Sequence, residues 1–305
     1  MEDTIRRKIG IAAGLIKTMR HVPNGLGELV HHITFGSFTF EPREGNKEPT
    51  YYFDSKSFAS YNAVGLKNIG LLTFIVEELI GRRDEFLRLK AQGCKIRLSL
   101  APLKTGDLKE MVQILLKYWL NIYDIVDEIE VNAACPNHRD EKDGRLHDVL
   151  AKDTVALKLL MMEGVDCPCP KAIKIAPNTT FECLEEIVRL SITYGYTMIV
   201  SGNTVLSDTP IDANERPRIS VPKCGMGGAP LLDGAVAQVS TLHRIIDNWI
   251  TDPPRVTPTV IACGGVKSAN GAQKHIEAGA EVVQVATYYA EFRLNGIRDL
   301  VAELT

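Results

Sequence analysis

Residues 131–137 read Val-Asn-Ala-Ala-Cys-Pro-Asn, which places two carboxamides and a thiol together at what reads as the end of a strand. Pro136 cannot donate to a ladder, so the strand stops there. Cys135 has two readings. It is either a small buried hydrophobe or a base held at the carboxyl end of a strand, where α/β folds keep their chemistry. A free thiol ionises near 8.5, so about a few per cent is thiolate at neutral pH. A base role therefore needs a polar, gated site, and the charged run 138–144 beyond Cys135 suits a lid. Lys174, in Ala-Ile-Lys-Ile-Ala-Pro-Asn, sits mid-strand among apolar neighbours. Neither face of such a strand accommodates a bare ammonium, so an anion is expected near the strand end. Asn62, Asn132, Asn137 and Asn203 each end or follow a strand. Singly, each reads as a turn residue. Facing one mouth, their amides suit a flat heterocycle with alternating carbonyl and N–H groups.

Three stretches look built for an anion. Met226-Gly-Gly-Ala229 precedes a helical run, Ala262-Cys-Gly-Gly265 ends a strand, and Val285-Ala-Thr287 ends the next. Glycine lets backbone N–H groups approach an oxyanion, and a helix N-terminus adds favourable partial charge. A plain turn would explain any one of them. Together they point to phosphate.

These residues need a scaffold, and the pattern supplies one. Strands are expected at 9–13, 32–35, 95–100, 129–133, 172–175, 198–201, 259–262 and 282–286. Helical periodicity runs over 69–92, 108–120, 149–163, 181–194, 235–249, 269–278 and 292–304. Eight strands alternating with helices in 305 residues predict one α/β domain over 1–305, a single (β/α)8 TIM barrel. No GxGxxG follows the first strand to support a doubly wound sheet. Two connections exceed what a barrel needs, 36–66 and 202–232, and both are expected to serve as lids or ligand loops. The turn at Glu41–Asn46 and the alternating Tyr51 and Phe53 predict a hairpin excursion over the carboxyl-terminal mouth.

A net charge of −3 gives no electrostatic case for nucleic acid or anionic membrane. No run approaches 18 consecutive apolar residues, so no membrane span is expected. Seven scattered cysteines argue against a disulfide framework. Cys167-Pro-Cys169 lacks a second ligand pair, so no metal is expected and the two thiols read as incidental. A cytoplasmic protein is the expectation.

The segments FGSFTFEPREGN, NAVGL, VNAACPN, IKIAPN, SGNT, GMGGAPL, ACGGV and AGAEVVQVAT occur in an order that resembles the dihydroorotate dehydrogenases, from about Gly10 onward. The cysteine of the CPN motif resembles the soluble class 1 enzymes; the membrane-bound class 2 enzymes carry serine there. The resemblance implies FMN as cofactor, dihydroorotate as small-molecule substrate and a role in pyrimidine biosynthesis. It implies that Cys135 removes the C5 proton while the C6 hydride passes to flavin N5. Lys174 then stabilises the anionic reduced flavin. Asn62, Asn132, Asn137, Asn203 and Thr204 hold the pyrimidine. Gly228, Gly264, Gly265, Ala286 and Thr287 cradle the FMN phosphate, and Ala13 and Gly14 face the isoalloxazine, with Asn132 also near the flavin. A homodimer is expected, and an electron-transfer partner subunit fits the class.

The resemblance departs at three points, one of them the loop after Cys135, which is unlike the family's usual glycine- and proline-rich one. Class 1 enzymes carry a lysine just after the second strand, where this chain has Gly36, and an arginine where it has Thr50. Lys56 is the candidate to reach the mouth instead. Two other readings follow from the residues: a related flavin enzyme acting on another small heterocycle, and a flavin-free phosphate-binding lyase or isomerase with Lys174 as Schiff base.

Overall fold

A computed structural model describes residues 8–134, 154–249 and 257–304. The barrel is closed by eight parallel strands: β1 (Ile9–Ile16), β2 (His32–Phe38), β5 (Lys95–Leu100), β6 (Glu128–Asn132), β7 (Lys171–Ile175), β8 (Met198–Ser201), β11 (Thr259–Cys263) and β12 (Val282–Val285). Around the barrel the order is β1-β12-β11-β8-β7-β6-β5-β2. The (β/α)8 expectation holds. Alternation along each strand sends one set of side chains outward onto the helices and the other into the lumen. Ile96, Leu98, Ile129, Val131, Ile173 and Ile175 join the large core between strands and helices. A second, smaller cluster comprises Ala12, Ala172, Met198, Val200, Ile261, Cys263 and Val282. It shares the lumen with buried Arg97, Glu128, Glu130, Lys174, His32 and Gln284.

The hairpin over the mouth also forms. It is the antiparallel pair β3 (Tyr51–Asp54) and β4 (Ala59–Asn62). The second long connection contributes β9 (Val205–Asp208) and β10 (Lys223–Gly228), and β10 pairs with β4. The two excursions thus make one four-stranded sheet, β3-β4-β10-β9. Buried Ala63, Ile219 and Cys224, with Tyr52, Tyr61 and Val221 packed on them, form a small core of their own against it.

Several boundaries differ from expectation. β1 and β2 run to Ile16 and Phe38, and their register shifts between Ile11 and Ile16 as β1 passes the rim. The helix expected over 69–92 is two. Leu71–Thr73 opens into wide turns over Phe74–Ile80, where the Gly81 N–H reaches back to the Val76 carbonyl at 3.1 Å. A new helix, Arg83–Ala91, then begins. The last helix starts at Thr287 and kinks at Arg293, whose φ is 52°.

Candidate active site

A cleft opens at the carboxyl ends of the barrel strands, beneath the four-stranded sheet. It encloses about 1230 Å³ of space, the solvent in its open mouth included. Asn62, Asn132, Lys174, Asn203, Thr204, Ala13, Gly14, Gly228, Gly264, Gly265, Ala286 and Thr287 all line it. They come from six barrel strands or their following loops, and from the sheet above. Cys135 and Asn137 lie outside the described residues.

One wall is polar and mutually anchored. Asn132, the last residue of β6, donates to Ser37 Oγ at 3.0 Å, and Ser37 in turn meets Ser99 Oγ at 2.8 Å. Asn132 Oδ1 accepts from Asn203 Nδ2 and from the Ala134 N–H, each at 3.3 Å. Asn203 Oδ1 accepts from the Thr204 N–H at 2.8 Å. Asn62 ends β4 and donates to the Gly225 carbonyl at 3.3 Å. Such bonds hold each amide in one orientation with part of its donor and acceptor capacity still turned to the cleft.

The opposite end is built from backbone. Gly228 and Gly265 have left-handed φ values of 87° and 81°. A Cβ on Gly265 would lie 2.2 Å from Leu232 Cα, and one on Gly228 would lie 2.2 Å from the Phe58 carbonyl oxygen. Only glycine lets the Gly265 loop lie against the start of helix Leu232–Trp249 and the Gly228 backbone against Phe58 of the hairpin. The Gly264 carbonyl accepts from His275 Nε2 at 2.8 Å, which pins the loop to helix Ala269–Glu277. Burial keeps that imidazole below its ordinary pKa, and so neutral, despite the carbonyl bond. Thr287 opens helix Thr287–Leu304 and shares a 2.7 Å hydroxyl contact with Ser60. Two helix N-termini and glycine backbone converge here, a donor set suited to a phosphate. At the other side of the cleft Gly14 has φ 107°, and a Cβ placed on it meets open space. That leaves a flat stretch of backbone against which a planar ring fits.

Lys174 stands beneath the cleft with 4% of its surface exposed. Its Nζ lies 3.6 Å from Glu130 Oε1, which supplies the anion its sequence position demanded. Burial alone pushes the ammonium pKa down. The Glu130 carboxylate beside it pushes it up, and the net direction is upward, so Lys174 is charged at neutral pH. Cys263 is held neutral, its pKa raised by burial.

A second lysine in the cleft was missed. Lys17 follows the end of β1, lines the cleft and donates to the Gly36 carbonyl at 2.9 Å. Gly36 is the position where a class 1 lysine was sought. No side chain fits there: φ is 110°, and a Cβ would lie 2.7 Å from the Ser99 carbonyl oxygen. Lys17 brings its cation to the same place from the neighbouring strand. The signal in Gly-Leu-Ile-Lys17 was available, but ending the strand at residue 13 hid it. Lys56, the expected substitute, is exposed in the β3–β4 turn and is not among the lining residues. Ser37, Tyr51, Ser60 and Gln284 also line the cleft without having been anticipated. Tyr51 is fixed by a 2.7 Å bond to Glu291, and burial followed by that carboxylate pushes its pKa upward.

The family model for dihydroorotate dehydrogenase matches residues 2–302. The chain belongs to the dihydroorotate dehydrogenase family. Similar relatives include the dihydroorotate dehydrogenase (quinone) of Roseiflexus castenholzii, 27% identical over 281 residues, covering 92% of this chain and 70% of that protein. That of Coxiella burnetii is 27% identical over 286 residues, covering 92% and 76%. A solved dihydroorotate dehydrogenase structure from Eimeria tenella, in complex with ferulenol, superposes with a TM-score of 0.75 at 20% identity. It covers 97% of this chain and 80% of that one, and at this identity it speaks for the fold. The cysteine of the CPN motif had placed the chain with the soluble class 1 enzymes; these relatives carry the quinone-enzyme name. Among the described residues no helix is long and apolar enough to cross a membrane, and no group of three or more metal-ligating side chains gathers.

Proposed function

We propose that this dihydroorotate dehydrogenase family member binds FMN in the cleft and oxidises dihydroorotate to orotate. The observation that carries the reading is convergence. Asn62, Asn132, Asn203 and Thr204, a buried ammonium at Lys174 and a glycine-lined helix-terminus cradle share one cleft, though they are scattered over more than 200 residues. FMN, when bound, accepts the hydride that leaves C6 of the substrate. Gly228, Gly264, Gly265, Ala286 and Thr287 hold its phosphate, and Ala13 and Gly14 lie along its ring. Lys174 places positive charge where the reduced ring carries negative charge. Asn62, Asn132, Asn137, Asn203 and Thr204 orient the pyrimidine. Lys17 supplies the cation for the substrate carboxylate, which removes the main motive for assigning a different heterocycle. Cys135 takes the C5 proton, a role that rests on its motif.

The acceptor belongs to the same proposal. The quinone-type relatives favour a quinone as the oxidant, whereas Cys135 in place of serine favours a soluble one. Orotate formation by the purified protein, followed with a soluble quinone, with fumarate and with NAD, decides this. Turnover with the quinone alone is the expected outcome. Absence of orotate at millimolar dihydroorotate with all three would overturn the substrate assignment.

A further inference from the structure

The lumen beneath the cleft holds a column of charge that the reaction as described leaves without a role. From the amino end of the barrel inward, Lys95 Nζ meets Glu128 Oε1 at 2.9 Å, and Glu128 Oε2 receives Arg97 Nε at 2.9 Å and Arg97 NH2 at 2.5 Å. Arg97 NH1 lies 3.8 Å from Glu130 Oε2, and Glu130 Oε1 lies 3.6 Å from Lys174 Nζ. The signs alternate from Lys95 to Lys174. Strand register produces this order: Arg97 pairs with Glu128, Ser99 with Glu130, and Asn132 with Lys174. Arg97 and Glu130 are fully buried.

Stability does not account for such a column. Ion burial costs several kcal/mol per charge, and apolar replacements of similar volume are often as stable or more so. The geometry near Lys174 is more specific. Glu130 Oε2 is held by Gln284 Nε2 at 3.1 Å, while Glu130 Oε1 has no hydrogen-bond partner among the described residues and has the Lys174 ammonium as its nearest ion. The 3.6 Å gap is a charge pair rather than a hydrogen bond. Lys174, which lines the cleft, is therefore drawn down toward Glu130. Arg97, bound twice to Glu128, presents only NH1 toward Glu130 and offsets part of its charge.

We propose that Glu130 is a positioning residue which anchors Lys174 at the floor of the cleft and, as its counter-ion, sets how strongly the cleft favours reduced over oxidised flavin, with Arg97 tuning that charge from below. This rests on the FMN reading above. Neutralising Glu130 leaves Lys174 with uncompensated positive charge, which favours the anionic reduced ring. Neutralising Arg97 leaves excess negative charge, which disfavours it. The two substitutions act in opposite directions, whereas simple loosening of the barrel moves both the same way.

The test is the midpoint potential of bound FMN, measured by equilibration with redox dyes. Glu130→Gln should shift the reduced-to-oxidised ratio at fixed potential about tenfold toward reduced flavin, about 30 mV upward for a two-electron couple. Arg97→Gln should shift it downward, and Glu130→Asp should restore most of the wild-type value. Should Arg97→Gln fail to fold, Arg97→Met/Glu128→Gln removes the pair together and should leave the potential near wild type. A flavin-free readout stands beside these. Competitive labelling of lysine amines against pH should show Lys174 becoming reactive at lower pH in Glu130→Gln, since Glu130, Arg97, Cys263 and His32 are the titratable groups facing it. Bound FMN with unchanged potential in Glu130→Gln, or shifts of the same sign in both single variants, overturns the proposal. Protein that binds no FMN overturns the flavin reading instead, and an unchanged labelling profile then overturns the Glu130–Lys174 coupling as well.

Discussion

Lys17 and Lys174 reach the same cleft from different strands, and their surroundings give them different tasks. Lys174 is buried and paired to Glu130, so its charge is fixed. Lys17 is half-buried at the rim and donates to a backbone carbonyl, a bond it can share with an incoming carboxylate. Lys17→Ala should leave FMN content unchanged and raise the KM for dihydroorotate about ten- to a hundredfold, the equivalent of a charged hydrogen bond of about 1.5–3 kcal/mol. Steady-state kinetics with flavin content measured alongside checks this, and an unchanged KM would return the carboxylate to another partner. Lys174→Ala should weaken FMN binding and slow flavin reduction, as read by titration and stopped flow. Cys135→Ser should retain FMN and lose proton abstraction by orders of magnitude at neutral pH, with recovery as pH rises, because a hydroxyl is a far weaker acid than a thiol. Equal flavin-reduction rates for wild type and variant across pH would make the thiol structural.

The glycine loop before helix Leu232–Trp249 and the sheet over the mouth show what the sequence made legible at the scale of elements. Hydrophobic runs located all eight barrel strands, because parallel strands carry dense β-branched runs that flank buried positions. The glycines at 228, 264 and 265 were legible because their positive φ values admit nothing else. Gly265→Ala should cost roughly 1–3 kcal/mol of strain and weaken FMN further through the displaced cradle. Chemical denaturation and flavin titration on the same variant check both effects. The pairing of β4 with β10 joins segments about 160 residues apart (Asn62 with Gly225), and no local pattern encodes a contact at that separation. The charges in Lys-Ile-Arg-Leu-Ser-Leu and Glu-Ile-Glu-Val-Asn alternate with the strand period, but polar residues at period two read as a solvated face until closure turns that face into a lumen.

At the scale of the molecule, two buried histidines and one half-buried make stability depend on pH. His32 is held well below its ordinary pKa by burial and then by Arg97, His31 by burial and Lys95, and His275 by burial. Each is neutral in the fold and gains a proton in the unfolded chain below the ordinary histidine pKa of about 6.5. The unfolded state therefore binds more protons in that window, and stability falls as pH drops below it, by up to about 1.4 kcal/mol per pH unit for each group. Thermal melts from neutral pH down to about pH 5 should show this fall, and His32→Gln should flatten it; a melting temperature independent of pH over that range would count against neutral burial. The same closed lumen that holds His32 at one end presents Lys174 at the other, so the fold and the proposed chemistry meet in one structure. The central claim is that this cleft is a flavin site that accepts electrons from dihydroorotate. Its most direct test is the visible spectrum of the purified protein under anaerobic conditions, before and after adding dihydroorotate. One FMN per chain, bleached by dihydroorotate with orotate formed in equal amount, is the predicted result; a colourless protein releasing no flavin on denaturation, or bound flavin that dihydroorotate leaves oxidised, would contradict it.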